Sequence, residues 1–264
     1  MKTIQTAKRI VVKVGTSTLT HENGKLNLNR MDKICRVLSE LHNEGKEIVL
    51  VTSGAIGVGV GKLSMPARPT STEEKQAVAA IGQCELMFMY DKFFGEYNQI
   101  VAQILLTKDV TDHSRKNVQN TFKELFRLGV IPIVNENDTV ETAELEGTSY
   151  GDNDMLSAIV CELIHADALV IFTDMDGLFE ADPRQNPDAK IIHTVEKITE
   201  EIRQIACGSS SNRGTGGMST KIHAADFATS HGIPTYIVNG SSPENLYALT
   251  EGNPVGTYFV PQGE

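Results

Sequence analysis

The chain has 264 residues, 40% of them hydrophobic and 22% charged, a balance that suits a soluble globular protein with a sizeable core. Its 24 Lys plus Arg stand against 34 Asp plus Glu, and the resulting net charge of −10 argues against nucleic acid or an anionic membrane surface as the main partner. No apolar run reaches membrane-spanning length, and the opening MKTIQTAKRIVVKV has charges where a signal peptide needs an uninterrupted apolar stretch, so the expectation is a cytoplasmic protein forming one domain over residues 1–264.

Along the chain, short runs rich in β-branched residues at 10–14, 48–51, 101–106, 130–134, 168–172, 235–238 and 257–260 read as strands. Amphipathic patterns at 30–43, 73–97, 115–128, 153–164, 195–207, 218–231 and 243–249 read as helices, the sixth of them stopped by Gly232 and Pro234. The strands are apolar nearly throughout, which requires helices on both faces. The expected fold is therefore α/β, a three-layer sandwich with a mostly parallel central β-sheet. Residues 139–151 and 177–191 are polar enough to be surface excursions. Cys35, Cys84, Cys161 and Cys207 have neither metal-ligand spacing nor the density of a disulfide scaffold, so they read as reduced packing residues.

Ligands of open α/β sheets collect where strands end and helices begin, and the strand ends here carry unusual residues. In VVKVGTSTL, Lys13 lies among Val11, Val12 and Val14. Either it faces an edge before an ordinary turn or its ammonium is buried, which is costly without an anion. In IVLVTSGAIGVGVG, the glycines Gly54, Gly57, Gly59 and Gly61 resemble a dinucleotide-binding fingerprint only loosely. In PIVNENDTV, Glu136 and Asp138 follow a strand, where a turn rich in Asn and Asp would also account for them. In GDNDMLSAIV, Asp152, Asn153 and Asp154 precede a helix, and a cap needs only one of the three. Thr173 and Asp174 in IFTDMDGLF suit either nucleotide contact or a turn. The segment GTGGMSTKIHAADFATSHGIP has the composition of a phosphate cradle, yet Ser219 and Thr220 precede Lys221, the reverse of P-loop order.

Taken in order, KVGTS, VTSGAIGVG, NENDTV, GDND, FTDMDGLFEADPR and GTGGMSTK resemble the amino acid kinase family, in the branch that acts on free glutamate, from Arg9 to about Val260. The resemblance implies the amino acid kinase fold and ATP-dependent phosphorylation of the side-chain carboxylate of L-glutamate to L-glutamyl 5-phosphate, on the route to proline. Members of the family also act on acetylglutamate, aspartate, carbamate and UMP, and acetylglutamate is the alternative acceptor. The resemblance implies catalytic roles for Lys13 and Lys221, with Asp154 organising the two lysines. It assigns glutamate binding to Ser53, Gly54, Asp138 and Asn153. It assigns ATP binding to Lys13, Thr173, Asp174, Thr215, Gly216, Gly217, Met218, Ser219, Thr220 and Lys221. The N-terminal part would then serve mainly glutamate and the C-terminal part mainly ATP, with Mg²⁺ carried mainly by the ATP phosphates and no dedicated protein metal site. Proline as a feedback inhibitor, a glutamyl phosphate reductase receiving the product, and a homo-oligomer are further implications. Many relatives carry a C-terminal PUA module, whereas this chain ends at Glu264, so the expectation is a kinase domain without it. From its position alone, 139–151 is expected to form a lid over the acyl phosphate.

Overall fold

A computed structural model describes residues 3–21, 24–107, 112–140, 153–207 and 217–262. Strands β1 (Arg9–Val14), β2 (Glu47–Val51), β3 (Val101–Leu106), β4 (Ile131–Glu136), β5 (Ala168–Thr173), β6 (Thr194–Val195), β7 (Thr235–Asn239) and β8 (Thr257–Phe259) form one sheet in the order β3-β4-β2-β1-β5-β7-β8-β6. Every described pairing is parallel except β7 with β8. The helices are α1 (Thr16–Leu19), α2 (Leu28–Asn43), α3 (Ala55–Leu63), α4 (Thr72–Glu96), α5 (Asp112–Arg127), α6 (Asn153–Ile164), α7 (Glu200–Cys207), α8 (Met218–Ser230) and α9 (Asn245–Glu251).

The alternation of side chains along each strand divides the core into two layers. Ile10, Val12, Val14, Ile48 and Leu50 face a cluster completed by Ile34 and Leu38 of α2, Leu86, Tyr90 and Phe94 of α4, and Leu246 of α9. Val11, Val49, Val51, Leu169 and Ile171 face the opposite cluster, with Phe122 of α5, Leu156 and Val160 of α6, and Ile222 and Ala225 of α8. The expected three-layer sandwich with a mostly parallel sheet is the observed one. Lys13 shares the parity of Val11, so its side chain rises toward the layer that contains α6 and α8. Among the described residues, no helix is long and apolar enough to cross a membrane.

Four local expectations need correction. The glycine-rich stretch after β2 is helix α3, despite the cost of about 1 kcal/mol that each glycine carries relative to alanine in a helix interior. Close packing on α4 explains it: a Cβ on Gly59 would stand 2.2 Å from the Val78 carbonyl oxygen, and one on Gly82 would stand 1.8 Å from that of Ala55. Gly59 and Gly82 thus serve the contact between α3 and α4. The helix expected from 195 begins instead at Glu200, because Thr194–Val195 pairs with β8 as strand β6. The fourth strand runs on through Asn135 and Glu136, both buried, so these residues are sheet rather than turn. Only Cys35 and Cys161 pack in the core; Cys84 and Cys207 are exposed.

Candidate active site

The chain runs from β1 outward through β2 to β4 and β3, then crosses to the other side of β1 to continue with β5 and β7. In open α/β sheets such a reversal marks where ligands bind, beyond the carboxyl ends of the central strands. Lys13 is level with Val51 of β2 and Ile171 of β5, so the segments that follow all three strands emerge at one edge.

Lys13 is almost wholly buried, and its anion is Asp154, which is fully buried in the first turn of α6. Lys13 Nζ lies 2.7 Å from Asp154 Oδ1, and Lys221 Nζ, from the first turn of α8, lies 3.1 Å from Oδ2. Thr220 donates its hydroxyl to the same Oδ2 at 2.8 Å. Two cations from β1 and α8 thus converge on one carboxylate from α6. Burial alone would raise the acid's pKa, but the adjoining ammonium groups of Lys13 and Lys221 outweigh it and hold Asp154 well below the usual carboxylate range. Because its described bonds go to these side chains, Asp154 is an ion-cluster residue rather than a cap. A Cβ added at Gly15 would stand 3.5 Å from Lys13 Nζ, so the ammonium lies beside the β1–α1 loop.

A depressed native pKa stabilises the fold above the unfolded value, and that contribution is lost as pH falls through the native pKa. For Asp154 the loss therefore lies below its ordinary 3.8. Asp154→Asn leaves two buried lysines without their carboxylate, so it should destabilise the protein by about 3 kcal/mol at neutral pH. Urea melts at pH 7 and in acid test this. The gap between wild type and variant should narrow in acid, and equal stabilities at neutral pH would show that the cluster contributes nothing to the fold.

Beside this cluster stands a second, neutral one. Asn153 Nδ2 points at the Thr52 carbonyl oxygen (2.7 Å), Ser53 Oγ (3.1 Å) and Asn135 Oδ1 (2.8 Å). Ser53 is held by the turn at Gly54, whose φ of +98° favours glycine and whose Cβ would also crowd the Thr16 side chain at 3.2 Å. Tyr90 shares a hydrogen bond of 2.8 Å with Thr52 Oγ1. Burial pushes the Tyr90 phenol pKa well up, so it stays protonated in this bond.

The residues expected at the site reach it unevenly. Lys13, Asp154, Thr220 and Lys221 meet in the ion cluster, and Ser53 and Asn153 meet in the neutral one, the two joined through the adjacent Asn153 and Asp154. Asp138 is half-buried in the turn after β4. Thr173 ends β5 and donates to exposed Asp174 at 3.2 Å, while its carbonyl accepts from Gly240 N at 2.8 Å. Gly217 caps α8, and Met218 and Ser219 open it with their amides at its positive end. Thr215 and Gly216 lie outside the described residues, as does most of the expected lid. Asn135 and Thr52 take part although neither was singled out. Asn135 sits within the NEND motif, but Thr52 contributes a main-chain oxygen, which no sequence pattern marks.

The sequence pattern described as "Amino acid kinase family" matches residues 8–239. The chain belongs to the amino acid kinase family. Among relatives, it is 55% identical to the glutamate 5-kinase of Clostridium perfringens, over 98% of this chain and 97% of that protein. It is 51% identical to the glutamate 5-kinase of Listeria innocua, over 100% and 96%. Among solved structures, the UMP kinase of Bacillus anthracis superimposes with a TM-score of 0.64 at 17% identity, covering 97% of each chain, and so shares the family fold.

Proposed function

We propose that this protein transfers the γ-phosphoryl group of ATP to the side-chain carboxylate of L-glutamate, giving L-glutamyl 5-phosphate, the first step of proline biosynthesis. The observation that carries the reading is the convergence of Lys13 and Lys221 on buried Asp154 at the switch point of the sheet. The glutamate 5-kinases at 55% and 51% identity supply the acceptor.

The chemistry asks little of the protein beyond placement and charge. A carboxylate is already ionised at neutral pH, so no general base is needed. One glutamate carboxylate oxygen bonds to the γ-phosphorus as the bond to the ADP oxygen breaks, and ADP leaves with that electron pair. Negative charge spreads over the transferred group, and two fixed ammonium groups stabilise it most in the transition state. Asp154 keeps both lysines in position, and the amino end of α8 adds its dipole toward phosphate. Thr173, Asp174 and the segment from Thr215 to Lys221 would hold the nucleotide; Ser53, Gly54, Asp138 and Asn153 would hold glutamate. Among the described residues no group of three His, Cys, Asp or Glu could hold a metal. Mg²⁺ would bind through the phosphate oxygens of ATP and neutralise their charge.

The same reading includes proline as an inhibitor competing for the glutamate site, a reductase that takes up the labile acyl phosphate, and a cytoplasmic location. Self-association is part of it too. The outer edge of β3 and exposed Ile100, Leu105 and Phe88 support an interface between copies of the chain.

The test traps the product. With ATP, Mg²⁺ and hydroxylamine, the purified protein should form hydroxamate only when L-glutamate is present, because an acyl phosphate acylates that nucleophile. Acetylglutamate, aspartate and UMP should release little ADP under the same conditions. Equal turnover without glutamate, or faster turnover with acetylglutamate, would reject the assignment.

A further inference from the structure

Three amides from three separate elements form a buried chain beside the ion cluster. Gln83 of α4 accepts at Oε1 from Asn135 Nδ2 (2.7 Å), and Asn135 of β4 accepts at Oδ1 from Asn153 Nδ2 (2.8 Å) and from Glu136 N (2.9 Å). Gln83, Asn135 and Asn153 are 8%, 2% and 8% exposed. Their orientations are interdependent. Asn135 Oδ1 faces two donors, so its amino group must turn toward Gln83, and Gln83 must answer with its oxygen or oppose one amino group with another. At the far end, Asn153 Nδ2 is committed to its acceptors, and Asn153 Oδ1 is buried with no hydrogen-bond partner among the described residues.

A buried acceptor without a partner calls for an explanation, and a ligand that donates to it is one. Asn153 is one of the residues proposed above to hold glutamate, whose α-ammonium is a donor of the right kind. We infer that Gln83 is a positioning residue for the amino-acid substrate: through Asn135 it fixes the amide of Asn153 so that Oδ1 is kept as an acceptor for the substrate. This rests on the glutamate reading. The backbone supports the same role, because Gly82 is where α4 presses on the start of α3. A Cβ there would stand 1.8 Å from Ala55 O and 2.5 Å from Gly59 N, and α3 begins directly after Ser53 and Gly54. Gln83 is thus held against the loop it serves. Tyr90, two helical turns on, secures Thr52 in the same loop.

The experiment compares Gln83→Met, which keeps the length and loses the acceptor, with Gln83→Glu, which keeps an oxygen for Asn135 and, being buried, tends toward its neutral form. Steady-state kinetics should show the glutamate KM raised about tenfold in Gln83→Met with the ATP KM changed less than about twofold, and recovery to within about threefold of wild type in Gln83→Glu. Thermal melts of both variants should lie close to wild type. An unchanged glutamate KM in Gln83→Met, an equal rise in both variants, or a joint rise in both substrates' KM with a lowered melting temperature would overturn the proposal, the last by showing a structural role alone. Wild-type protein without glutamate-dependent turnover would instead overturn the underlying reading, and the inference with it.

Discussion

Lys221→Ala should lower kcat by about 100-fold or more with smaller changes in either KM, as expected for loss of one preorganised donor to the transition state. Lys13→Ala should behave alike, because both ammonium groups converge on Asp154 from opposite sides. The fold should survive either change, since one lysine still pairs with the carboxylate. Acting as a unit, the two lysines should not contribute additively, and the double variant should lose less than the product of the single losses. Rapid-quench measurement of acyl phosphate formation separates the chemical step from product release. A Lys221→Ala protein with near wild-type kcat would make the start of α8 a structural turn and remove the phosphate role.

Asp138→Asn should raise the glutamate KM by about 10-fold to 1000-fold while leaving the ATP KM nearly unchanged, the range expected when a desolvated charge loses its counterpart. Free glutamate differs from acetylglutamate by its α-ammonium, and selecting the former takes a carboxylate that the latter would leave unpaired. Asp138 lies half-buried in the turn directly after Glu136, at the same edge of the sheet as Asn135. The variant should also discriminate less against acetylglutamate, a change that a merely structural defect would not produce. Isothermal titration with glutamate, with and without a nonhydrolysable ATP analogue, checks the same point without turnover. If ATP and glutamate weaken together, Asp138 shapes the site as a whole and is not the ammonium receptor.

Much of the protein is readable from local pattern because local physics specifies it. Apolar β-branched runs such as RIVVKV and ALVIFT can be satisfied only between two helical layers, so the parallel sandwich follows from them. The start of α8 at Met218 and its end before Gly232, whose φ is +73°, are written in the residues that cap it. Lys13 within a valine strand raised the choice between an edge-facing lysine and a buried ammonium that needs an anion, and the order of motifs from KVGTS to GTGGMSTK pointed to the family. What the sequence could not give was decided by contacts between distant segments. Helix α3 exists because α4 packs closely on it at Gly59 and Gly82, and β6 exists because β8 pairs with it; neither partner is local, and the propensity of AIGVGVGKL argues against a helix. Asp154 receives both lysines because the register of β1 with β5 and the packing of α6 on α8 bring those groups together. Sequence spacing contains no such distances. Gln83 lay in an unremarkable stretch of a long helix, and only the Gly82 contact and the orientation of Asn135 give it a role, since an amide's direction is set by the partners around it and not by its neighbours in the chain.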